Sequence, residues 1–349
     1  MNDATLTPAG LNAESVTRWL SANVAGSVAP FHFELIAGGH SNLTFSVTDS
    51  ANHRYVLRRP PLSHALASAH DMGREHRVIS ALQNTKVPVA PTLAMCDDVS
   101  VNDAPFYVMG FIDGIIVRDP DIALKMLTPA TRLQASNSLV DTMAAIHAVD
   151  PVAVGLGELG RHDGYIERQL KRWYSQWNAS KTRELTAIDR VHDGLLKHLP
   201  VQGPATIVHG DYRLDNCMIN SEGDIIAVLD WELCTLGDPL ADLGLLMVYW
   251  SGPTDEPSGT TFGTTTAEGF LNRGQLAERY AQISGRDISH LDYYVAFAYW
   301  KLACIIEGVY ARYISGAMGE QSDTTAFEPF KLQVEASAQK AELLLSRLQ

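Results

Sequence analysis

The sequence predicts an α+β fold in two lobes, a small sheet followed by a larger helical part. Three patterns predict it. Short β-branched and aromatic runs crowd the first third of the chain. Apolar residues recur at helical spacing through most of the remainder. One strand–turn–strand signal is embedded among those helices.

The elements follow in order. Residues 11–24 (LNAESVTRWLSANV) carry helical spacing and form a leading helix. Runs at 31–36, 43–47 and 55–58 read as strands, separated by the turns 37–40 and 49–52. A helix follows over about 65–83, then strands at 92–96 and 106–109. Beyond Gly114 helices are expected at 128–148, 162–178, 182–197, 238–249, 274–284, 289–314 and 327–347. The division expected is a sheet lobe over 1–112 and a helical lobe over 113–349, with the crevice between them as the default site. The stretch 251–267 (SGPTDEPSGTTFGTTTA) is rich in Gly, Pro, Ser and Thr and reads as a mobile loop.

Composition narrows the function classes. With 46% hydrophobic and 19% charged residues, the chain has ordinary globular make-up and ample core over its 349 residues. A net charge of −13 argues against nucleic acid and against an anionic membrane surface as partners. The N-terminal MNDATLTPAG lacks a basic region followed by an apolar run, and Cys96, Cys217, Cys234 and Cys304 lack paired metal-ligand spacing. A cytoplasmic protein with reduced thiols is the expectation. The apolar stretch 293–310 is interrupted by Lys301 and Glu307, so it reads as a buried helix rather than a membrane span.

The chemistry concentrates in His209-Gly210-Asp211-Tyr212-Arg213-Leu214-Asp215-Asn216, followed by Asp230-Trp231-Glu232. Two short apolar runs flank the turn Ser221-Glu222-Gly223-Asp224, so the chain should double back as an antiparallel hairpin. Centring the turn between Glu222 and Gly223 sets Asn216 opposite Leu229, beside Asp230. Cross-strand neighbours lie roughly 4.5–5.5 Å apart. An amide oxygen and a carboxylate that close suit Mg2+, a hard cation that completes its shell with water and phosphate. Asp211, just before that end, is placed to accept a proton from an attacking hydroxyl.

These motifs, HGDYRLDN and VLDWELCTLGDPLADLG, resemble the signature of the aminoglycoside phosphotransferase-like kinases, which share the protein-kinase-like fold. Their spelling is similar to the kinase domains associated with acyl-CoA dehydrogenases, and the likeness runs from about residue 30 to 315. The resemblance implies Asp211 as catalytic base and Asn216 and Asp230 as Mg2+ ligands. It also implies ATP as phosphoryl donor. Gly38, Gly39, Ser41 and Asn42, between the first two strands, would bring backbone N–H groups to the phosphates. Arg58 stands where protein kinases carry a strand lysine, with Glu75 on the next helix as its partner. An arginine donates two bonds to phosphate, but with a different reach and fork. Backbone groups of Gly110 and Ile112 would meet the adenine edge.

On the acceptor side, Arg168, Arg172 and Arg213 are candidates to hold an anionic group, a carboxylate or a coenzyme A phosphate. Trp173 and Trp177 share a helix face and fit core packing. Gly155-Leu156-Gly157-Glu158-Leu159-Gly160 matches a dinucleotide fingerprint without the βαβ context it needs, and reads as a loop. Asp238 and Asp242 are expected to cap a helix start and brace the catalytic loop. The expectation is thus an ATP- and Mg2+-dependent small-molecule kinase acting on a hydroxyl, with a hydroxyacyl-CoA or hydroxy acid as acceptor. The alternatives are an aminoglycoside or other amino-alcohol kinase, and a nucleotide-binding pseudokinase without turnover.

Overall fold

The computed structural model describes residues 8–37, 42–62, 71–253, 255, 263–315 and 327–348. The chain folds as two compact units: Met1–Gly114 with Ile226–Cys234, and Ile115–Ile225 with Thr235–Gln349.

The first unit is built on one sheet. Helix α1 (Ala13–Asn23) starts where the Asn12 side chain accepts from Ser15 N, satisfying one of the donors a helix start leaves open. Strands β1 (Phe31–Ala37), β2 (Leu43–Asp49), β3 (Arg54–Arg59), β4 (Thr92–Cys96) and β5 (Phe106–Gly110) make an antiparallel sheet in the order β1-β2-β3-β5-β4. Helix α2 (Met72–Leu82), capped by Asp71, lies between β3 and β4 in the chain, and the single turn α3 (Val99–Asn102) between β4 and β5. Val16, Leu20, Phe45, Val47, Leu57, Phe106 and Val108 form a fully buried core. The register sets Arg58 opposite Thr44 on one side and Tyr107 on the other. The strip Ile226–Cys234, which the sequence pattern leaves with the helical part, packs with this unit. Val228 N bonds Pro88 O, and the Arg74 guanidinium bonds Cys234 O.

The second unit is helical. In chain order it contains α4 (Pro120–Met126), α5 (Pro129–Ala148), α6 (Tyr165–Ser180), α7 (Thr186–Lys197), β6 (Thr206–Val208) and β7 (Cys217–Ile219). After β8 (Ile225–Val228), which straddles the division, come β9 (Thr235–Gly237), α8 (Leu240–Tyr249), α9 (Arg273–Ser284), α10 (Leu291–Ile314) and α11 (Glu328–Leu345). Helices α8 and α10 are apolar nearly all round and correspondingly buried. No described helix is long and apolar enough to cross a membrane. Glu307, one of the two charges interrupting α10, is buried against Thr182 N and Oγ1, each 2.7 Å away, and Arg183, 2.9 Å away.

The expected hairpin forms: β7 and β8 make a two-stranded sheet. Its turn is built by Asn220, whose Oδ1 accepts from Glu222 N and Asp224 N while its own N–H reaches Asp224 O. Gly223 sits at φ 96°, and a Cβ there would lie 2.5 Å from Thr131 O, so the turn requires glycine. The short elements α3, α4, β6 and β9 were not anticipated, and the first part of the helix expected from 65 lies outside the described residues.

Candidate functional site

In the second unit the residues of the 209–216 motif come together. Leu214–Asn216 forms one 3-10 turn, closed by Asn216 N on Arg213 O. The turn carries the Asn216 amide back onto Asp211. Its Nδ2 donates to Asp211 O at 2.9 Å and to Asp211 Oδ2 at 3.0 Å. The same Oδ2 lies 3.4 Å from Arg213 Nε, and that nitrogen lies 3.2 Å from Asp215 Oδ1. Asp211 Oδ1 has no partner among the described residues, so one carboxylate oxygen is free to accept a proton. Asn216 Oδ1 is likewise uncommitted among the described residues.

The loop is braced from behind. Asp242, buried in α8, accepts from His209 N at 2.7 Å and from Gly210 N at 2.9 Å, and lies 3.2 Å from His147 Nε2. His147 Nδ1 in turn meets the Tyr280 hydroxyl at 2.8 Å. Burial works against the Asp242 charge, but the His147 contact, the charges of His147 and His209 and the Gly210 N–H outweigh it and hold the carboxyl below its ordinary range. This is the bracing role expected of Asp242. Asp238 instead accepts from Leu240 N, where α8 begins, at 3.0 Å and takes the Tyr294 hydroxyl at 2.6 Å.

Beside the loop opens a small pocket of about 30 Å3, partly open to solvent, with Arg118, Arg213, Asp215 and Tyr249 among its lining residues. Leu246 and Trp250 give it an apolar wall, and Thr264 and Thr265 add hydroxyls. The Arg213 guanidinium stacks over the Tyr249 ring, 4.8 Å from its centroid. Burial pushes the Asp215 carboxyl up, opposed by Arg213 and Arg118. Of the three arginines expected to hold an acceptor, only Arg213 lines this pocket. Arg168 bonds Arg161 O at 3.0 Å, and Arg172 lies over the ring of its neighbour Trp173, so the expected trio is split. The reason is helical geometry, since both project from α6 rather than from the loop. Arg118 is the residue that sequence reasoning missed. Trp173 and Trp177 are buried core. The Gly155–Gly160 segment is a loop of turns, with no strand before it.

In the first unit, Arg58, Glu75 and Asp230 come together. Arg58 Nη2 meets Asp230 Oδ1 at 2.5 Å, and Arg58 Nε lies 3.3 Å from Glu75 Oε2. Glu75 is 1% exposed, so it is an internal partner rather than a solvated helix charge. Burial pushes its carboxyl up, with the Arg58 charge opposing and the Tyr107 hydroxyl and Trp231 backbone close by. Burial also works against the Arg58 charge, but Glu75, Tyr107 and Asp230 together raise its pKa, so the guanidinium stays charged. Asp230 adopts the left-handed conformation, φ 62°, unusual for a residue with a side chain and concentrated at functional positions. Its Oδ2 has no partner among the described residues. Each unit thus offers one uncommitted oxygen of the kind a hard cation takes, a carboxylate oxygen at Asp230 in the first and an amide oxygen at Asn216 in the second. No group of three or more His, Cys, Asp or Glu that could hold a metal ion occurs among the described residues, so such an ion would rely on phosphate and water for the rest of its shell.

Gly110 corrects one expectation. Its N–H donates to Pro91 O at 2.8 Å and is not available to an adenine edge, whereas no backbone bond engages the Ile112 N–H among the described residues. A Cβ at Gly110 would lie 2.8 Å from Pro91 Cγ, so this close approach explains the glycine. Asn42 is buried and bonds Glu232 at 3.2 Å. Gly38, Gly39 and Ser41 lie outside the described residues.

Comparison with known proteins identifies the family. Residues 32–281 match the phosphotransferase enzyme family, APH. Mouse acyl-CoA dehydrogenase family member 10 is 36% identical over 310 residues, covering 88% of this chain and 28% of that protein. The probable acyl-CoA dehydrogenase IBR3 of Arabidopsis thaliana is 32% identical, covering 91% of this chain and 41% of that one. The chain thus spans less than half the length of these curated relatives. The crystal structure of a putative aminoglycoside phosphotransferase from Ralstonia eutropha superposes with a TM-score of 0.80 at 33% identity, covering 96% of this chain and 98% of that one. Aminoglycoside phosphotransferase APH(4)-Ia, in complex with AMP-PNP and hygromycin B, shares the fold at 16% identity, with a TM-score of 0.62 and coverage of 96% and 98%. By sequence over most of its length, and by a protein-kinase-like α+β fold, this chain belongs to the phosphotransferase enzyme family, whose members act on hydroxyl groups.

Proposed function

We propose that this chain transfers the γ-phosphoryl group of ATP, in the presence of Mg2+, to the hydroxyl of a small molecule carrying an anionic group, a hydroxy acid or hydroxyacyl-CoA. The observation that carries the reading is the Asp211 carboxylate, with Oδ2 held by Asn216 and Arg213 and Oδ1 open. Asp211 accepts the acceptor's hydroxyl proton as that oxygen bonds to the γ-phosphorus, and the bond to the ADP oxygen breaks. Asn216 and Asp230 would hold Mg2+, which when bound would offset negative charge on the phosphates. Arg58 steadies the phosphates, with Glu75 orienting it. The Gly38–Asn42 segment contributes backbone N–H groups, and the Ile112 backbone meets the base. Arg118 and Arg213 support an anionic acceptor, as do relatives named as acyl-CoA dehydrogenases. There, phosphorylation would convert a hydroxyl into a leaving group. Asp215 in the same pocket favours the second reading, an amino-alcohol or aminoglycoside acceptor.

The test is ADP release from Mg-ATP with 3-hydroxybutyryl-CoA, 4-hydroxybutyrate, kanamycin or choline as acceptor, for the wild type and D211A. Stimulation by the first two alone, lost in D211A, supports the reading. Stimulation by kanamycin or choline alone moves the assignment to amino-alcohols. Nucleotide binding with no acceptor-dependent release, unchanged by D211A, would establish a pseudokinase.

A further inference from the structure

Lys301 is a buried lysine that no step above uses. It projects from the middle of α10 and is 8% exposed. Its one hydrogen bond among the described residues runs from Nζ to Gly210 O at 3.3 Å. Nζ also faces the ring of Trp173, 5.6 Å from its centroid. A lysine placed this deep with a single acceptor is a poor structural choice, because ammonium desolvation is costly and an apolar side chain of similar length would fill the space. Burial accordingly pulls its pKa down, opposed by the charges of Asp211 and Asp242.

The location of that one bond gives the lysine a purpose. Gly210 sits at φ 87°, a conformation open to glycine and strained for other residues. Its N–H is taken by Asp242 from α8, and its C=O by Lys301 from α10. The peptide that follows Gly210 leads directly into Asp211. The two helices therefore hold this flexible glycine from opposite ends, one through a carboxylate and the other through an ammonium. We infer that Lys301 is a positioning residue, fixing the Gly210–Asp211 peptide so that the Asp211 carboxylate is held in register for proton transfer. This rests on the reading of Asp211 as the base.

K301M tests it, since methionine fills the space without the donor. Turnover is followed as ADP release from Mg-ATP with 3-hydroxybutyryl-CoA and with water alone, beside D211A. Amide hydrogen exchange over residues 209–212 is measured independently of turnover. The expectation is a kcat lowered by roughly 10- to 100-fold, the scale set by small misplacements of catalytic groups. The KM for ATP should stay within about twofold, because ground-state binding is untouched. The melting temperature should not fall, and the Gly210 and Asp211 amides should exchange faster. Unchanged exchange over 209–212 overturns the inference whatever the turnover. So does a kcat loss accompanied by a fall in melting temperature, the signature of a general structural role. If K301M does not fold, K301Q goes through the same measurements under the same criteria. A dead D211A with a normal K301M removes only Lys301. A D211A with wild-type rate removes the base assignment itself.

Discussion

Replacing Asp242 by asparagine tests the brace behind the 209–216 loop, and its cost can be worked from the geometry. The carboxylate accepts two buried backbone N–H groups, from His209 at 2.7 Å and Gly210 at 2.9 Å. Hydrogen bonds to a charged acceptor contribute about 1.5–3 kcal/mol each. Asparagine offers one carbonyl oxygen, so it can keep one of the two. The other N–H then faces an amide NH2 and is left unsatisfied, at a cost of about 1–3 kcal/mol. Loss of charge weakens the surviving bond, which brings the expected destabilisation to about 3 kcal/mol. For a chain of this size that lowers the melting temperature by about 5 °C. Because the released peptide carries Asp211, kcat should also fall by roughly 100-fold.

The pH dependence adds a sign. Asp242 has its pKa depressed in the folded state. Its contribution is therefore fully present above the unfolded carboxyl value of about 3.9, and is lost as pH falls from there through the folded value. Thermal melts of wild type and D242N between pH 7 and acid should keep a constant gap down to about pH 4 and converge below it. A melting temperature within about 1 °C of wild type at pH 7, together with unchanged kcat, would refute the bracing role.

Four further outcomes are expected. D211A should lose turnover by 1,000-fold or so while calorimetric affinity for Mg-AMP-PNP changes by less than about threefold. R58M should leave Glu75 and Asp230 without their common cation and cost about 3 kcal/mol in chemical denaturation, whereas R58K should restore stability better than nucleotide affinity. G210A forces a side chain into φ 87°, and should cost about 1–2 kcal/mol in the same assay even though alanine is small. R118E should raise the KM for 3-hydroxybutyryl-CoA by about tenfold while leaving the KM for ATP within about twofold, read from initial rates.

The elements legible from sequence were those with enough residues to show a period. Strand β4 was placed at its observed bounds because Thr92–Cys96 is a compact β-prone run between turn signals. Helices α5 and α10 were placed within two residues at either end because their apolar spacing runs for many turns. The three-residue strands β6 and β9 carry no measurable alternation, since their pairing is decided by tertiary context. Helix α4 was missed although Asp119 caps it and Pro120 begins it, a start signal too short to be followed by a period. The site divides in the same way. Asp211 and Asn216 were found because local spacing brings them together, and Glu75 because it sits on the helix after Arg58. Arg118 and Lys301 were not, because their neighbours lie far along the chain and only the folded backbone joins them. Arg168 and Arg172 were overvalued for the converse reason: nearness to basic neighbours in sequence says nothing about which way a helix turns them.

One guanidinium serving two acids has a consequence for how this chain can change. Arg58 reaches Glu75 with one nitrogen and Asp230 with another, and a compact ammonium has no such span. A drift to lysine at 58 would strand one acid unless position 75 or 230 shifted with it. These three sites should therefore diverge as a set, and intermediates along the way would be less stable than either endpoint.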